Sequence, residues 1–99
     1  MNHEIFMQEA IIEAENAGAR GDRPIGAVIV CENQILARGS SKFKTLNSHV
    51  HHAENMMIIE NASMIKSCAS NCTIYTTVEP CVMCLPTIIL ANIRRIVYG

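Results

Sequence analysis

Hydrophobic and polar positions alternate along the chain with periods that predict helices and strands in turn. Residues 3–18 predict a helix, because small and apolar side chains recur every three or four positions among polar ones. This stripe consists of Phe6, Ala10, Ala14 and Ala17, with Ile5 and Ile12 beside it. We expect Gly18 and the polar segment after it to end the helix. The β-branched run at 25–31 predicts a buried strand, and a tight turn at "ENQ" leads into a return strand at 35–41.

The second half continues this alternation of elements. A polar loop at 42–51 is followed by a predicted helix at 53–66, a strand at 73–78, a helix from about 80 to 92 and a last strand in "RRIVYG". The order α-β-β-α-β-α-β argues for an α/β fold, a three-layer α/β/α sandwich with a mixed β-sheet. We expect a single domain, 1–99. Its last strand would be an apolar edge, so either a partner covers it or these residues belong to a longer protein.

Composition excludes several classes of function. The net charge is −1, which provides no strong overall field for nucleic acid or an anionic membrane. The N-terminus lacks the basic and apolar regions of a secretory signal, and no apolar run approaches the roughly 20 residues of a membrane span. We therefore expect a soluble cytoplasmic protein without a membrane partner.

Five cysteines raise the question of metal binding. Their number is odd and no signal peptide precedes them, so free thiols or a metal site are favoured over a disulfide framework. Cys31 ends an apolar strand and is most simply a small core residue. Cys68 and Cys72 lie in a predicted loop ahead of a strand. We interpret them as plain thiols, with a second metal site as the alternative.

Cys81 and Cys84 are three residues apart behind Pro80, at the predicted start of a helix. Both sulfurs can therefore face one ion, and the helix N-terminus favours their thiolate forms. His52 opens the preceding helix and is the best third ligand. One histidine and two cysteines leave the fourth position open, which is typical of catalytic zinc, and Glu54 would lie beside that position.

Each of these assignments has an alternative. A lone CxxC in a cytosolic protein can be a redox pair. His52 can be an ordinary loop histidine, and His49 and His51 are near enough to compete with it as ligands. Only His52 has a glutamate two residues later, which favours it.

The residues "HAE" at 52–54 and "PCVMC" at 80–84 resemble the signature of the zinc-dependent cytidine and deoxycytidylate deaminase superfamily. "RPIGAVIV" at 23–30 and "YTTVEPCVMCLPTIILANIRRIVYG" at 75–99 are also similar to that superfamily, so the resemblance covers nearly the whole chain. It is greatest to the branch that contains tRNA adenosine, guanine, fungal-type cytosine and deoxycytidylate deaminases. Within this branch the tRNA adenosine and guanine enzymes are the most similar.

The resemblance implies roles for individual residues. It makes His52, Cys81 and Cys84 the ligands of Zn²⁺ and Glu54 the catalytic proton shuttle. The residues that it places along the substrate pocket are Gly26, Ala27, Ser41, Ala53, Glu79 and Pro80.

The chain departs from the family pattern in two ways. Ser41 stands where relatives of this branch usually carry a substrate-binding asparagine, and a hydroxyl cannot offer a donor and an acceptor on separate atoms. Asn47 in the following loop is a possible substitute. The family also continues into a further strand and C-terminal helices, which this chain lacks. We therefore expect the native protein to extend past Gly99.

Three functions are consistent with these observations. The first is hydrolytic deamination of a nucleobase or nucleoside of the cytosine, guanine or adenine type, with release of ammonia. The second is adenosine-to-inosine deamination of tRNA, and the third is a non-catalytic zinc-binding subunit. We favour a small-molecule substrate, because the basic residues that tRNA would need form a modest set: Arg38, Lys42, Lys44, Arg94 and Arg95. The resemblance also implies a homodimer or higher homo-oligomer.

Overall fold

A computed structural model describes residues 3–42, 45, 52–78 and 84–99 of the chain. The elements in chain order are α1 (His3–Ala19), β1 (Gly26–Cys31), β2 (Gln34–Ser40), α2 (Ala53–Glu60), α3 (Ala62–Lys66), a short 3₁₀-helix (Ala69–Asn71), β3 (Cys72–Thr76), α4 (Cys84–Leu90) and β4 (Arg95–Tyr98). No helix in these ranges has the length and apolar character that crossing a membrane requires.

The four strands form one sheet in the order β2-β1-β3-β4. β1 pairs antiparallel with both β2 and β3, whereas β3 pairs parallel with β4. Glu32 and Asn33 join β1 to β2 with φ values of 53° and 63°. Positive φ at both central positions gives the turn a twist that matches the strands beside it, which explains the tight hairpin at "ENQ". The mixed sheet is as predicted.

The two faces of the sheet carry separate cores, because successive side chains of a strand point to opposite sides. On one face, α1 packs against Val28, Val30 and Tyr75. On the other face, α2 and α4 contribute Ala53, Met57, Ile58 and Ile88 to a core that includes residues of β1 and β3. This arrangement confirms the predicted three-layer α/β/α sandwich.

Two glycines allow the helices to approach the sheet closely. A Cβ atom at Gly26 would lie 2.4 Å from the carbonyl oxygen of Ala10 in α1, and one at Gly39 would lie 2.6 Å from the carbonyl oxygen of Ala53 in α2. Both distances are to backbone atoms, which cannot move aside without moving the helix. Gly26 and Gly39 therefore set the distances of α1 and α2 from the sheet.

The predicted helix at 53–66 is interrupted at Asn61. The Asn61 side chain donates a 2.8 Å hydrogen bond to the carbonyl of Met57, and its φ of −119° departs from helical geometry. Asparagine competes for backbone hydrogen bonds in this way, so α2 ends and α3 begins at this residue. The end of β3 also differs, since the strand stops at Thr76 and not at residue 78. Of the helix predicted at 80–92, residues 84–92 are described, and α4 ends at Leu90, two residues earlier than predicted, in a turn at 91–92.

Candidate active site

His52 is the N-cap of α2, the residue directly before the first helical residue, Ala53. Its backbone is extended, with φ −85° and ψ 161°, and its N–H donates a 2.9 Å hydrogen bond to Oδ1 of Asn55. This contact links the N-cap to the third residue of the helix and holds the start of α2 in one conformation. Cys84, which is fully buried, is the first described residue of α4.

The side chains of His52 and Cys84 meet although they are 32 positions apart. Nδ1 of His52 lies 3.6 Å from Sγ of Cys84. A tetrahedral zinc ion with ordinary bonds, about 2.0–2.1 Å to nitrogen and 2.3 Å to sulfur, requires a separation of about 3.6 Å between two such ligands. The two described ligand atoms therefore fit a shared zinc ion. The third predicted ligand, Cys81, lies outside the described residues.

Glu54 occupies the first turn of α2 and is 2% exposed. Oγ1 of Thr76, at the end of β3, donates a 3.2 Å hydrogen bond to Oε1 of Glu54. Because a buried carboxylate needs hydrogen bonds to remain oriented, Thr76 fixes one oxygen of Glu54. The carboxylate thus lies two residues from His52 and is held by the sheet.

The residues predicted to line the substrate pocket occupy different places. Ala27 and Ala53 are fully buried in the same core, on the α2 face of the sheet. Gly26 precedes Ala27, and its missing side chain accommodates α1 on the opposite face. Glycine is thus required at position 26 because α1 packs closely against it. Its backbone role toward a substrate stays a prediction, as do the roles of Ala27 and Ala53.

Ser41 is 2% exposed and continues the pairing of β2 by one residue. Its N–H donates to the carbonyl of Ile25 at 3.0 Å, and its own carbonyl accepts a 3.1 Å hydrogen bond from Nη2 of Arg20. The backbone of Ser41 is therefore firmly held, at the end of β2. The other predicted positions lie outside the described residues: Glu79, Pro80, the competing histidines His49 and His51, and Asn47.

Sequence reasoning missed the two residues that hold the site in place. Asn55 carries a signal that was available, since an amide at the third position of a helix is typical of a capping interaction. Thr76 carries none. Nothing but the fold brings this hydroxyl of β3 to a glutamate 22 residues earlier in the chain.

The whole chain, residues 1–99, matches the sequence model of the cytidine and deoxycytidylate deaminase zinc-binding region. The chain belongs to this family. The predicted superfamily is thereby confirmed, and zinc is the metal of the region that the family model describes. This metal agrees with the nitrogen and sulfur atoms that meet at His52 and Cys84.

Individual relatives agree with this assignment. The tRNA-specific adenosine deaminase of Bacillus subtilis is 36% identical over 97 residues, which are 97% of this chain and 60% of that protein. The chain spans less than two thirds of the length of the curated relatives that it was compared with.

Solved structures give the same result for the fold. A structure from a study of A-to-I editing by tRNA:A34 deaminases at the wobble position of transfer RNA has a TM-score of 0.85 and 37% identity, and the match covers 97% of this chain and 75% of that one. Guanine deaminase from Bacillus subtilis has a TM-score of 0.85 and 34% identity over all of this chain and 64% of its own. The predicted deaminase-like fold is confirmed.

The basic residues considered for tRNA contact are not equally available. Arg38 forms ion pairs with Glu9 and Glu13 of α1, and hydrogen bonding to Glu9 raises the pKa of its guanidinium. Its charge is thus partly compensated within the fold, although 41% of its side chain stays exposed. Arg94 and Arg95 are exposed beside β4, and Lys42 is half-buried at the end of β2. Lys44 lies outside the described residues.

Proposed function

We propose that this chain forms the zinc-binding catalytic domain of an enzyme that hydrolytically deaminates a nucleobase. The observation that carries this proposal is the 3.6 Å separation of His52 Nδ1 and Cys84 Sγ, together with the buried carboxylate of Glu54 two residues after His52. A purely structural zinc site has no use for such a carboxylate, so this observation argues against the non-catalytic alternative. Family membership supports the same conclusion.

The residues divide the chemistry among them. His52, Cys81 and Cys84 would hold zinc, which when bound supplies a Lewis acid and lowers the pKa of water at its open position. Glu54 takes a proton from the attacking water and delivers it to the ring nitrogen beside the amino-bearing carbon. The hydrogen bond from Thr76 would keep the Glu54 carboxylate in a fixed orientation for these proton transfers. Glu54 then passes the second proton of that water to the amino group, which leaves as ammonia while the water oxygen stays on the ring carbon as a carbonyl.

Adenosine in tRNA is the substrate that the relatives favour. The curated relatives at 36–42% identity are named tRNA adenosine or tRNA adenine deaminases. Our preference from the sequence for a free base or nucleoside has no comparable support among them. One observation keeps it as the second candidate, namely the 34% identity to guanine deaminase from Bacillus subtilis. Ser41, in place of the usual asparagine, is a departure that bears on substrate choice, and its role toward a substrate stays a prediction.

A single assay separates the two candidates. The purified protein is given tRNA, adenosine, adenine, guanine, guanosine, cytosine and cytidine in parallel, and ammonia and the deaminated base are measured. We expect inosine in tRNA and much slower release from the free compounds. Turnover of guanine without turnover of tRNA would establish the second candidate. Absence of turnover with every substrate, from zinc-loaded protein, would contradict the proposed activity.

Exposed apolar side chains on α4 support the expectation of a homo-oligomer. Leu85, Ile89 and Leu90 are exposed to solvent in the single chain. A patch of this kind is typical of a protein contact, and we propose a second copy of the chain as the occupant. Sedimentation of wild-type protein and of Ile89→Lys would test this, with a monomeric wild type as the contradicting result. A cytoplasmic location likewise stays a prediction.

A further inference from the structure

Three cysteine thiols meet at the end of the sheet opposite Glu54. Cys31 and Cys72 are directly paired across β1 and β3, and Cys68 lies in the turn that precedes β3. The sulfur atoms of all three lie within 4.8 Å of one another. Sequence reasoning treated Cys31 as a core residue separate from Cys68 and Cys72, whereas the fold brings the three together.

The spacing of the sulfurs suits a metal ion. Sγ of Cys68 lies 3.7 Å from Sγ of Cys72. Two thiolates on a tetrahedral zinc ion, with bonds of about 2.3 Å, are about 3.8 Å apart, whereas a disulfide requires about 2.05 Å. The observed separation therefore fits two ligands of one ion, and it is too long for a disulfide. Cys31, the third donor, needs a movement of at most about 1 Å to reach the same geometry.

Burial and access are also suitable. Cys72 is fully buried, while Cys31 and Cys68 are half-buried, so an ion can enter from the solvent side and keep a fourth ligand there. The cluster is separate from the predicted active site. Cys72 and Thr76 are the first and last residues of β3, and four residues of strand span about 13 Å.

Thiols must lose their protons before they bind a metal ion, so metal binding at this cluster depends on pH. Burial, followed by the neighbouring thiol of Cys68, raises the pKa of Cys72 to about 12, and burial also raises the pKa of Cys31. Burial thus disfavours the thiolate forms of Cys31 and Cys72, and a bound cation would reverse that effect. Binding would thus release protons and become tighter as the pH rises.

We propose that Cys31, Cys68 and Cys72 form a second metal site, which binds a thiophilic ion of the Zn²⁺ or Cd²⁺ class through three sulfurs. This site is independent of the proposed deaminase activity. A bound ion would link three elements of the fold: β1, β3 and the turn that follows α3.

The test is a count of metal ions in reduced protein prepared without chelators and dialysed against Zn²⁺. We expect two zinc ions per chain in the wild type and one in Cys68→Ser, whose half-exposed side chain can change with little effect on the fold. Ser67→Ala is the matched control and should keep two. Cys84→Ala should lose the ion at the active site and retain the one at the cluster.

A second measurement does not depend on deaminase activity or on the other zinc ion. Titration of Cys84→Ala with Cd²⁺ should produce the ultraviolet absorption of a cadmium–thiolate complex with one ion per chain, and Cys68→Ser introduced into the same protein should abolish it. The proposal is overturned if Cys68→Ser holds as much zinc as the wild type. It is also overturned if Cd²⁺ gives no thiolate absorption in Cys84→Ala. An inactive wild type with two zinc ions would contradict the proposed function while supporting this site.

Discussion

Two groups of thiols lie at opposite ends of the same face of the sheet, and they differ in what surrounds them. At one end, Cys84 faces His52, and the buried carboxylate of Glu54, two residues after His52, accepts a hydrogen bond from Thr76. At the other end, Cys31, Cys68 and Cys72 face one another, and no buried carboxylate accompanies them among the residues that the structure describes.

This difference distinguishes a site that can only bind a metal ion from a site that can also catalyse a reaction. Donor atoms at the right spacing are enough to bind an ion: the His52 end has nitrogen and sulfur, and the cysteine cluster has sulfur alone. A hydrolytic reaction also needs a group that accepts a proton and returns it; Glu54 is buried and held by a hydrogen bond, whereas Glu32, next to Cys31, is exposed. The two ends should therefore respond differently to the same kind of change.

Glu54→Gln should have the largest effect on activity, because it removes the buried proton acceptor, which the cysteine cluster also lacks among the described residues. The amide keeps the size of the side chain and cannot accept a proton, so we expect activity to fall by roughly 10²–10⁴-fold or more. Zinc content and thermal stability should stay close to wild type. Deamination assays with Glu60→Gln, an exposed residue on the same helix, give the control. Wild-type turnover in Glu54→Gln would show that Glu54 is not the proton acceptor, and the two ends would no longer differ in catalytic capacity.

Gly39→Ala should disturb the catalytic end through the backbone. The added methyl would lie 2.6 Å from the carbonyl oxygen of Ala53 and 2.8 Å from Cβ of Met57, which forces α2 away from the sheet. We expect a loss of about 1–3 kcal/mol in the free energy of unfolding, together with reduced activity.

Gly18→Ala is the matched control for that change. A methyl at Gly18 would lie 3.5 Å from Cβ of Pro24, an ordinary contact. It should leave stability unchanged or raise it by about 0.5–1 kcal/mol, since alanine is favoured over glycine within a helix. Urea denaturation of the two variants measures both values. Equal stability of Gly39→Ala and wild type would show that α2 does not depend on this close approach.

Thr76→Val should have a smaller effect that is confined to the orientation of Glu54. The substitution keeps the shape of the side chain and removes a hydrogen bond to the carboxylate, which costs about 1–3 kcal/mol. We expect kcat to fall about tenfold, with zinc content unchanged. Thr73→Val is the control on the same strand, because the buried hydroxyl of Thr73 has no hydrogen-bond partner in the described structure. If both variants retain full kcat, Thr76 does not position Glu54.

Tyr75→Phe should have the smallest effect and should leave both ends unchanged, since Tyr75 packs on the α1 face. Burial raises the pKa of the Tyr75 hydroxyl above its ordinary value of 10.0, although Arg95 opposes this. The folded protein therefore keeps this proton more firmly than the unfolded chain. Its contribution to stability is complete below pH 10 and is lost as the pH rises through the raised pKa.

Denaturation between pH 8 and pH 12 tests this prediction. The wild type should lose stability above pH 10 more steeply than Tyr75→Phe does. The variant should also lose the hydrogen bond between Tyr75 and Nδ1 of His3, a contact of 2.6 Å, which costs about 1 kcal/mol at neutral pH. A change in zinc content in Tyr75→Phe would show that the two faces of the sheet are coupled.

The sequence was a good guide wherever a local pattern determines structure. The stripe of Phe6, Ala10, Ala14 and Ala17 predicted α1, and all four residues are buried as expected. The spacing of apolar residues and the residue types in the turn likewise predicted the hairpin and the layered sandwich. The break at Asn61 was missed, because a single side-chain hydrogen bond to the backbone overrides an otherwise helical pattern.

Long-range contacts were harder to predict. The HAE and PCVMC segments indicated a metal and a carboxylate, because their spacing within each segment is local. The hydrogen bond from Thr76 to Glu54 and the meeting of Cys31 with Cys68 and Cys72 depend on strand register, which no local pattern specifies. Gly26 was given a role toward substrate, and the fold shows that α1 requires its missing side chain.

The most direct test of the central claim is zinc X-ray absorption on Cys68→Ser, in which the cysteine cluster is disabled. The account predicts one zinc ion per chain with one imidazole nitrogen and two sulfurs among its ligands, and loss of that nitrogen signal in His52→Ala. A zinc ion bound by sulfur alone, or protein that holds no zinc, would contradict it.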